Sequence, residues 1–432
     1  GLRQTYVEGY YPAFGAARFA NWDLTNGSDT LRYPVGAVVS TFDPNACTDT
    51  TCSAVLYQVL DAPFQYTEDG GLAPLAAESF EVSDDGLVYT IKLREGALWS
   101  DGEPVVAQHF VDGIKRLLSP DLANDYAFVM FPIDGAQAYN AGEQADLPSV
   151  VAVDDLTLQI TLSAPASFFE SLLAFSTFHP IRLDVIEANP DSWTAAENFV
   201  GNGAYTFVEA DPNAGIKLAK SETYWDAANV SIANVEMDVL LEPATTLAAF
   251  DAGEIDATTG GSIPSADTVA RYTANDPNFI RVAQPGIEYI GLNTSAEHTN
   301  DVNFRKALAS ATDRRTILDG PAGTPWRVET TSLIPLGIPG YREPAEAPGY
   351  PYDPEAAVAF LNEYMASAGI TDASEIVVEV WFNSNGTNPQ VYAAVTDMWE
   401  TTLGIDARTV GVEFATYLDV LEQCNVLGGG GF

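Results

Sequence analysis

The stretch Val200-Gly201-Asn202-Gly203-Ala204-Tyr205 decides how this chain is read. Glycine and asparagine both tolerate positive φ, so Gly201-Asn202-Gly203 predicts a sharp reversal into a strand near Tyr205. Alone, such a turn says little. This one lies between Trp193 and Tyr224-Trp225-Asp226 and belongs to an ordered series. Upstream stand ESFEVSDDGLVYTIKLREGALWSDGEPV at 78–105 and LSAPASFFESLLAF at 162–175. Downstream stand FDAGEIDA at 250–257 and GLNT at 291–294.

Working outward, 31–36 reads as a first strand and 53–60 as a short helix. Strands at 79–82 and 88–93 flank Ser83-Asp84-Asp85-Gly86, a hairpin with turn residues where a turn needs them. Phe110, Ile114, Leu117 and Leu118 recur at helical spacing and predict a helix over 105–118. A second hairpin is expected at Asp154-Asp155, with Leu156, Leu158, Ile160 and Leu162 on one face. Later helices are expected at 301–318, 354–367 and 389–403, with Pro354 and Pro389 suited to first turns. A strand is expected at 376–382, and the Pro- and Gly-rich run 335–354 reads as a long surface connection. No internal repeat is visible, and the mixture of elements predicts α/β architecture in several lobes.

The chain has 432 residues and 47% hydrophobic content, enough for two or three domains with ordinary cores. No apolar run reaches the ~18 residues that span a bilayer. A formal charge of −41, from 60 acidic and 19 basic residues, repels phosphate backbones and argues against nucleic-acid binding. That charge is spread along the chain, as on a solvated acidic surface; salt adaptation and steering of cationic ligands are the functional alternatives. Of three cysteines, Cys47 and Cys52 are close enough to form a bridge outside the cytoplasm, provided the segment turns. Two reduced thiols are the alternative. No second cysteine pair stands ready for zinc, and no metal or cofactor is expected.

Nothing catalytic stands out. The chain lacks a G-x-S-x-G elbow, a Walker loop and a dinucleotide G-x-G-x-x-G. Its three histidines, His109, His179 and His298, are scattered. His109 reads as a helix-edge residue and His179 as a packed, hydrogen-bonded one, with His298 in a polar loop. Carboxylate pairs are too abundant among sixty acids to mean anything singly.

In order and spacing, the quoted segments resemble the peptide/nickel (oligopeptide and dipeptide) class of solute-binding proteins of ABC importers, bacterial family 5. The resemblance runs from about Leu31 almost to the end. It implies a periplasmic-binding-protein-like fold (type II, cluster C) with two main lobes and an inserted domain. Carried onto this chain, 1–30 is an arm or tether, 31–60 and 183–286 form lobe I, and 61–182 form lobe II. Lobe III runs over 287–432. The ligand is expected between lobes I and III. The implied function is capture of peptides outside the cytoplasm, in the periplasm or as a lipid-anchored protein, and delivery to a membrane permease by a monomer. No enzymatic activity is implied.

By the same resemblance, Phe42-Asp43-Pro44 precedes a ligand edge at Thr48, Asp49 and Thr50. Those three lie inside the Cys47–Cys52 loop, where a plain polar turn is the alternative and a bridge conflicts with an extended edge. Tyr126, Tyr289, Asn388 and Phe414 match pocket-lining positions, with Tyr289 in a strand opening lobe III. For each, ordinary packing is the alternative, and Asn388 also looks like an N-cap before Pro389. Leu421 stands where the oligopeptide binders carry a basic residue. The family continues beyond Phe432, so a truncated sequence is expected, without the family's ammonium-binding aspartate. Three other readings stay open: the same class with an oligosaccharide, opine-like compound or metal complex as ligand; an extracellular hydrolase; and a structural or adhesive surface protein.

Overall fold

The computed structural model describes residues 18–21, 27–67, 71–258, 263–276, 287–325, 327–334 and 341–422. The expectations for most of the N-terminal arm, and for Cys424 and the glycine run after it, lie outside the described residues. The chain divides into two compact units. The first comprises Gly1–Val239, Glu254–Ala257 and Ile280–Gln284; the second comprises Leu240–Gly253, Thr258–Phe279 and Pro285–Phe432.

Two four-stranded sheets organise the first unit. In one, Thr30–Arg32 pairs parallel with Asn234–Asp238, followed antiparallel by Gly215–Lys220 and Tyr205–Asp211. Alternation sends Leu31, Val235, Met237, Leu218, Ile216, Tyr205 and Phe207 into the core. The first strand is shorter than the expected 31–36; only an isolated bridge, Val35 to Val239, continues it. The other sheet joins the two expected hairpins: Ala77–Val82, Val88–Leu93, Thr157–Thr161 and Val150–Asp154, all antiparallel. Tyr89, Ile91, Leu158 and Ile160 are buried there. The Ala107–Leu117 helix lays Phe110, Ile114 and Leu117 against Val150–Asp154 and Thr157–Thr161.

Of the segment read as a tether, Arg18–Asn21 packs on this unit. Phe19 is buried, and Arg18 pairs with Asp61 in the interior.

In the second unit, Val377–Asn383 and Asp406–Val412 pair in parallel across the Asn388–Leu403 helix, a crossover connection of the kind parallel strands need. Trp399 anchors that helix by donating to the Leu308 carbonyl (3.1 Å) and the Thr312 hydroxyl (2.9 Å). The Pro354–Ala368 helix begins at an Asp353 cap and ends at Gly369, in the left-handed region (φ 72°). The helix expected over 301–318 is two helices, Val302–Ser310 and Arg314–Asp319. Asp313 breaks the run: its carboxylate accepts from the Thr316 N–H (3.1 Å) and starts the second helix. Helices at Pro243–Ala252 and Ser265–Thr273 escaped the sequence pattern.

Candidate functional site

Gly201-Asn202-Gly203 is a docking surface for a backbone. Neither glycine has positive φ, so the expectation of a φ-driven reversal is corrected. A Cβ on Gly203 would lie 2.5 Å from the Val59 carbonyl carbon, and one on Gly201 would lie 2.2 Å from the Val59 oxygen. The glycines are needed because the end of the Thr50–Val59 helix presses against them. The Gly203 N–H donates to the Val59 carbonyl (2.9 Å). Asn202 Oδ1 accepts from the Asp61 N–H (2.9 Å), and its Nδ2 donates to the Asp61 carbonyl (3.2 Å). The amide thus pairs with a buried backbone as a neighbouring strand would.

Asp61 holds a second cluster together. Its carboxylate accepts from Arg18 and, at 3.4 Å, from Trp225 Nε1. Burial works against the Arg18 charge, yet the Asp61 carboxylate and Tyr224 more than offset it and hold the guanidinium above its ordinary pKa. Nothing local in the sequence marks Arg18 or Asp61 as partners, because 43 residues separate them.

At its other end the same helix carries the candidate ligand turn. Asp43 is gripped by Arg116 through two 2.7 Å bonds. The Asp43 carbonyl accepts from the Ala46 and Cys47 N–H groups, both at 3.0 Å. Cys47 and Cys52 are joined by a disulfide with their Cα atoms 5.9 Å apart. Between them, Thr48, Asp49 and Thr50 form no strand edge. Asp49 is the N-cap of the Thr50–Val59 helix, accepting from Thr51 N–H (2.7 Å) and Cys52 N–H (3.0 Å), and also from the Ser40 hydroxyl. Thr50 is the first helical residue and is exposed; Thr48 is half-buried. An extended edge here is therefore corrected to a capped turn.

One side chain brings Tyr126 to this neighbourhood. Asn124 accepts from the Tyr126 N–H (2.6 Å) and donates to the Asn45 carbonyl, two residues before Cys47. Tyr126 is half-buried, stacks on Phe175 (6.1 Å between centroids) and meets the edge of Phe128, which is 60% exposed. The other candidates sit on the second unit. Tyr289 is exposed, and 287–293 contains no strand, which corrects the expected one. Asn388 is not the cap: Thr387 takes that place, and Asn388 is the first helical residue, donating to the Asn383 carbonyl and Oδ1. Phe414 opens the Phe414–Glu422 helix, half-buried, one residue after Glu413, which accepts from the Ala415 N–H. Leu421 lies half-buried in the same helix.

The histidines are dispersed here too. His109 Nδ1 accepts from Trp99 Nε1 (3.1 Å) and the Val106 N–H (3.2 Å), which requires the neutral ring; burial and Arg182 lower its pKa to about 4. His179 is packed edge-on to Tyr57, but among the described residues neither ring nitrogen has a hydrogen-bond partner, which corrects the expected hydrogen-bonded ring, and burial lowers its pKa to about 3. His298 Nδ1 meets the Tyr364 hydroxyl at 2.6 Å.

The profile of the bacterial extracellular solute-binding proteins, family 5, matches residues 71–426. The chain belongs to this family. As a family 5 protein it is 28% identical over 404 residues to the oligopeptide-binding protein OppA of Bacillus subtilis, covering 92% of this chain and 74% of that one. It is 29% identical over 417 residues to the "Probable deoxycholate-binding periplasmic protein YgiS" of Escherichia coli, covering 94% and 76%. Among solved structures, Haemophilus influenzae OppA in complex with the peptide RPPGFSPFR matches with a TM-score of 0.84 at 27% identity, over 94% of this chain and 80% of that one. The fold is thus the α/β periplasmic-binding-protein type.

Proposed function

We propose that this chain is the substrate-binding component of an ABC importer, which captures short peptides outside the cytoplasm and passes them unchanged to a membrane permease. The observation that carries this reading is the match, over 94% of the chain, to a structure holding a peptide. Thr48, Thr50 and Tyr126 on the first unit, and Tyr289, Asn388 and Phe414 on the second, are its proposed ligand contacts. The half-buried and exposed aromatics among them supply wall area at low entropic cost. Asp49 enters this set through its place in the turn, since its carboxylate is occupied in capping.

Ligand-induced stabilisation tests the proposal. A binder gains stability in proportion to RT ln(1 + [L]/Kd). Saturating tri- to nonapeptides should raise the melting temperature by at least about 2 °C, and mass spectrometry should recover them intact. A shift with deoxycholate and none with any peptide would replace the peptide reading with a non-peptide one, and cleaved peptide would point to hydrolysis.

A further inference from the structure

We propose that the Cys47–Cys52 bridge is a specificity-determining element of the ligand site. It replaces an extended edge with a fixed turn, so a bound peptide meets Thr48 and Thr50 and cannot add as a strand across 47–52. The inference deepens the peptide-binding reading and rests on it.

Distance makes the first argument. Five residues of extended chain would carry the two Cα atoms roughly 17 Å apart. The bridge holds them at 5.9 Å. A peptide docking by strand addition needs a run of free, extended N–H and C=O groups, and this segment cannot provide one while oxidised.

The second argument is where the constraint falls. Before the turn, Asp43 is fixed by Arg116, and Asn45 donates to the Gly113 carbonyl (3.2 Å). After it, the helix is buried at Cys52, Ser53 and Val55–Val59 and pinned at its far end by Asn202 and Gly203. Packing and hydrogen bonds already hold both flanks. The four residues between are held by the Asp49 cap together with the disulfide, which ties Cys47 to the first turn of the helix; there Thr48 is half-buried and Thr50 exposed.

Charge makes the third. Asp49 is 4% exposed and its oxygens are occupied by Thr51, Cys52 and Ser40. The turn therefore offers a ligand neutral hydroxyl and backbone groups and no carboxylate. It suits amide or hydroxyl recognition, and it does not supply a partner for a terminal ammonium.

The test compares two probes, trialanine and RPPGFSPFR, on the oxidised protein and on the Cys47→Ser/Cys52→Ser variant. Calorimetry gives the affinities, and amide hydrogen exchange follows 46–53. In the oxidised protein, each peptide should slow exchange at Thr48–Thr50. Without the bridge, exchange there should accelerate, and the ratio of the two affinities should change on the order of tenfold, as expected when a preorganised contact is released. A bridge serving stability alone would lower the melting temperature and leave that ratio unchanged, which would overturn the proposal. Should the variant fail to fold, Thr48→Ala and Thr50→Ala in the oxidised chain carry the test. Each should weaken binding severalfold at an unchanged melting temperature, and wild-type affinity in both would overturn it. If neither peptide binds the wild-type protein, the peptide reading fails and takes this inference with it.

Discussion

Gly203 has room for a hydrogen atom and nothing larger. Its Cβ would meet three backbone atoms of 58–60 within 2.8 Å, and none can swing aside as a side-chain tip could. Gly203→Ala is expected to cost at least about 3 kcal/mol in urea denaturation. Gly96→Ala is the contrast: that site has open space but φ of +78°, and the expected cost is about 1–2 kcal/mol. Equal costs would show that the backbone of 58–60 gives way to a Cβ at Gly203. His109 supports a different prediction. Its folded pKa of about 4 lies below the ordinary 6.5, so on acidification the unfolded state takes up the proton first. The stability from the neutral ring is present above pH 6.5 and is lost as pH falls through about 4. His109→Asn retains an acceptor for Trp99 and Val106 but cannot titrate. Its denaturation midpoint should fall less than that of wild type between pH 7 and pH 4.5 (roughly its folded and unfolded limits). An identical fall in both would remove His109 from the account. The two glycines were legible as special in the sequence; the reason was not, because a close approach depends on a segment some 140 residues away.

The helix Thr50–Val59 shows how an element is set from outside itself. Its mid-section is buried, its start is capped by Asp49 and closed by the disulfide, and its end is clamped by Asn202. Asp49→Ala leaves the Thr51 and Cys52 N–H groups without their acceptor. The expected loss is about 2 kcal/mol, and Asp49→Asn should recover at least half of it; urea titration distinguishes them, and no loss in the alanine variant would refute the capping role. Sequence patterning located the Ala107–Leu117 helix, the two longest helices and both hairpins, since 3.6 and 2 are properties of local sequence. It ran through the Asp313 break, where one carboxylate capping Thr316 outweighs a continuous pattern. The extended edge at 48–50 was implied by the family resemblance, with a polar turn as its alternative, and the bridge and cap require the turn.

Charge belongs to the molecule as a whole. With 60 acidic and 19 basic residues, most carboxylates have no cation to pair with, even if every cation is engaged. Their mutual repulsion opposes compaction, and salt screens it; at about 1 M the Debye length is only ~3 Å. Raising KCl from ~0.01 M to ~1 M should lift the melting temperature on the order of 5 °C. A flat or falling profile would mean that the acidic surface is already relieved by its own geometry. The division into two compact units also belongs to this scale. The sequence boundary at Leu240 is invisible because Asn234–Asp238 and Pro243–Ala252 follow one another with no long linker, although they fall in different units.

Segment order, alternation and helical spacing were enough to establish the α/β class, the family and both hairpins, because these depend on neighbours along the chain. The sites depended on neighbours in space. Asp61 meets Arg18 and Asn202, Asn124 meets Asn45, and Trp399 meets Leu308 only once the chain has folded. A buried polar group must find a partner wherever one is available, and no spacing rule in the sequence says which.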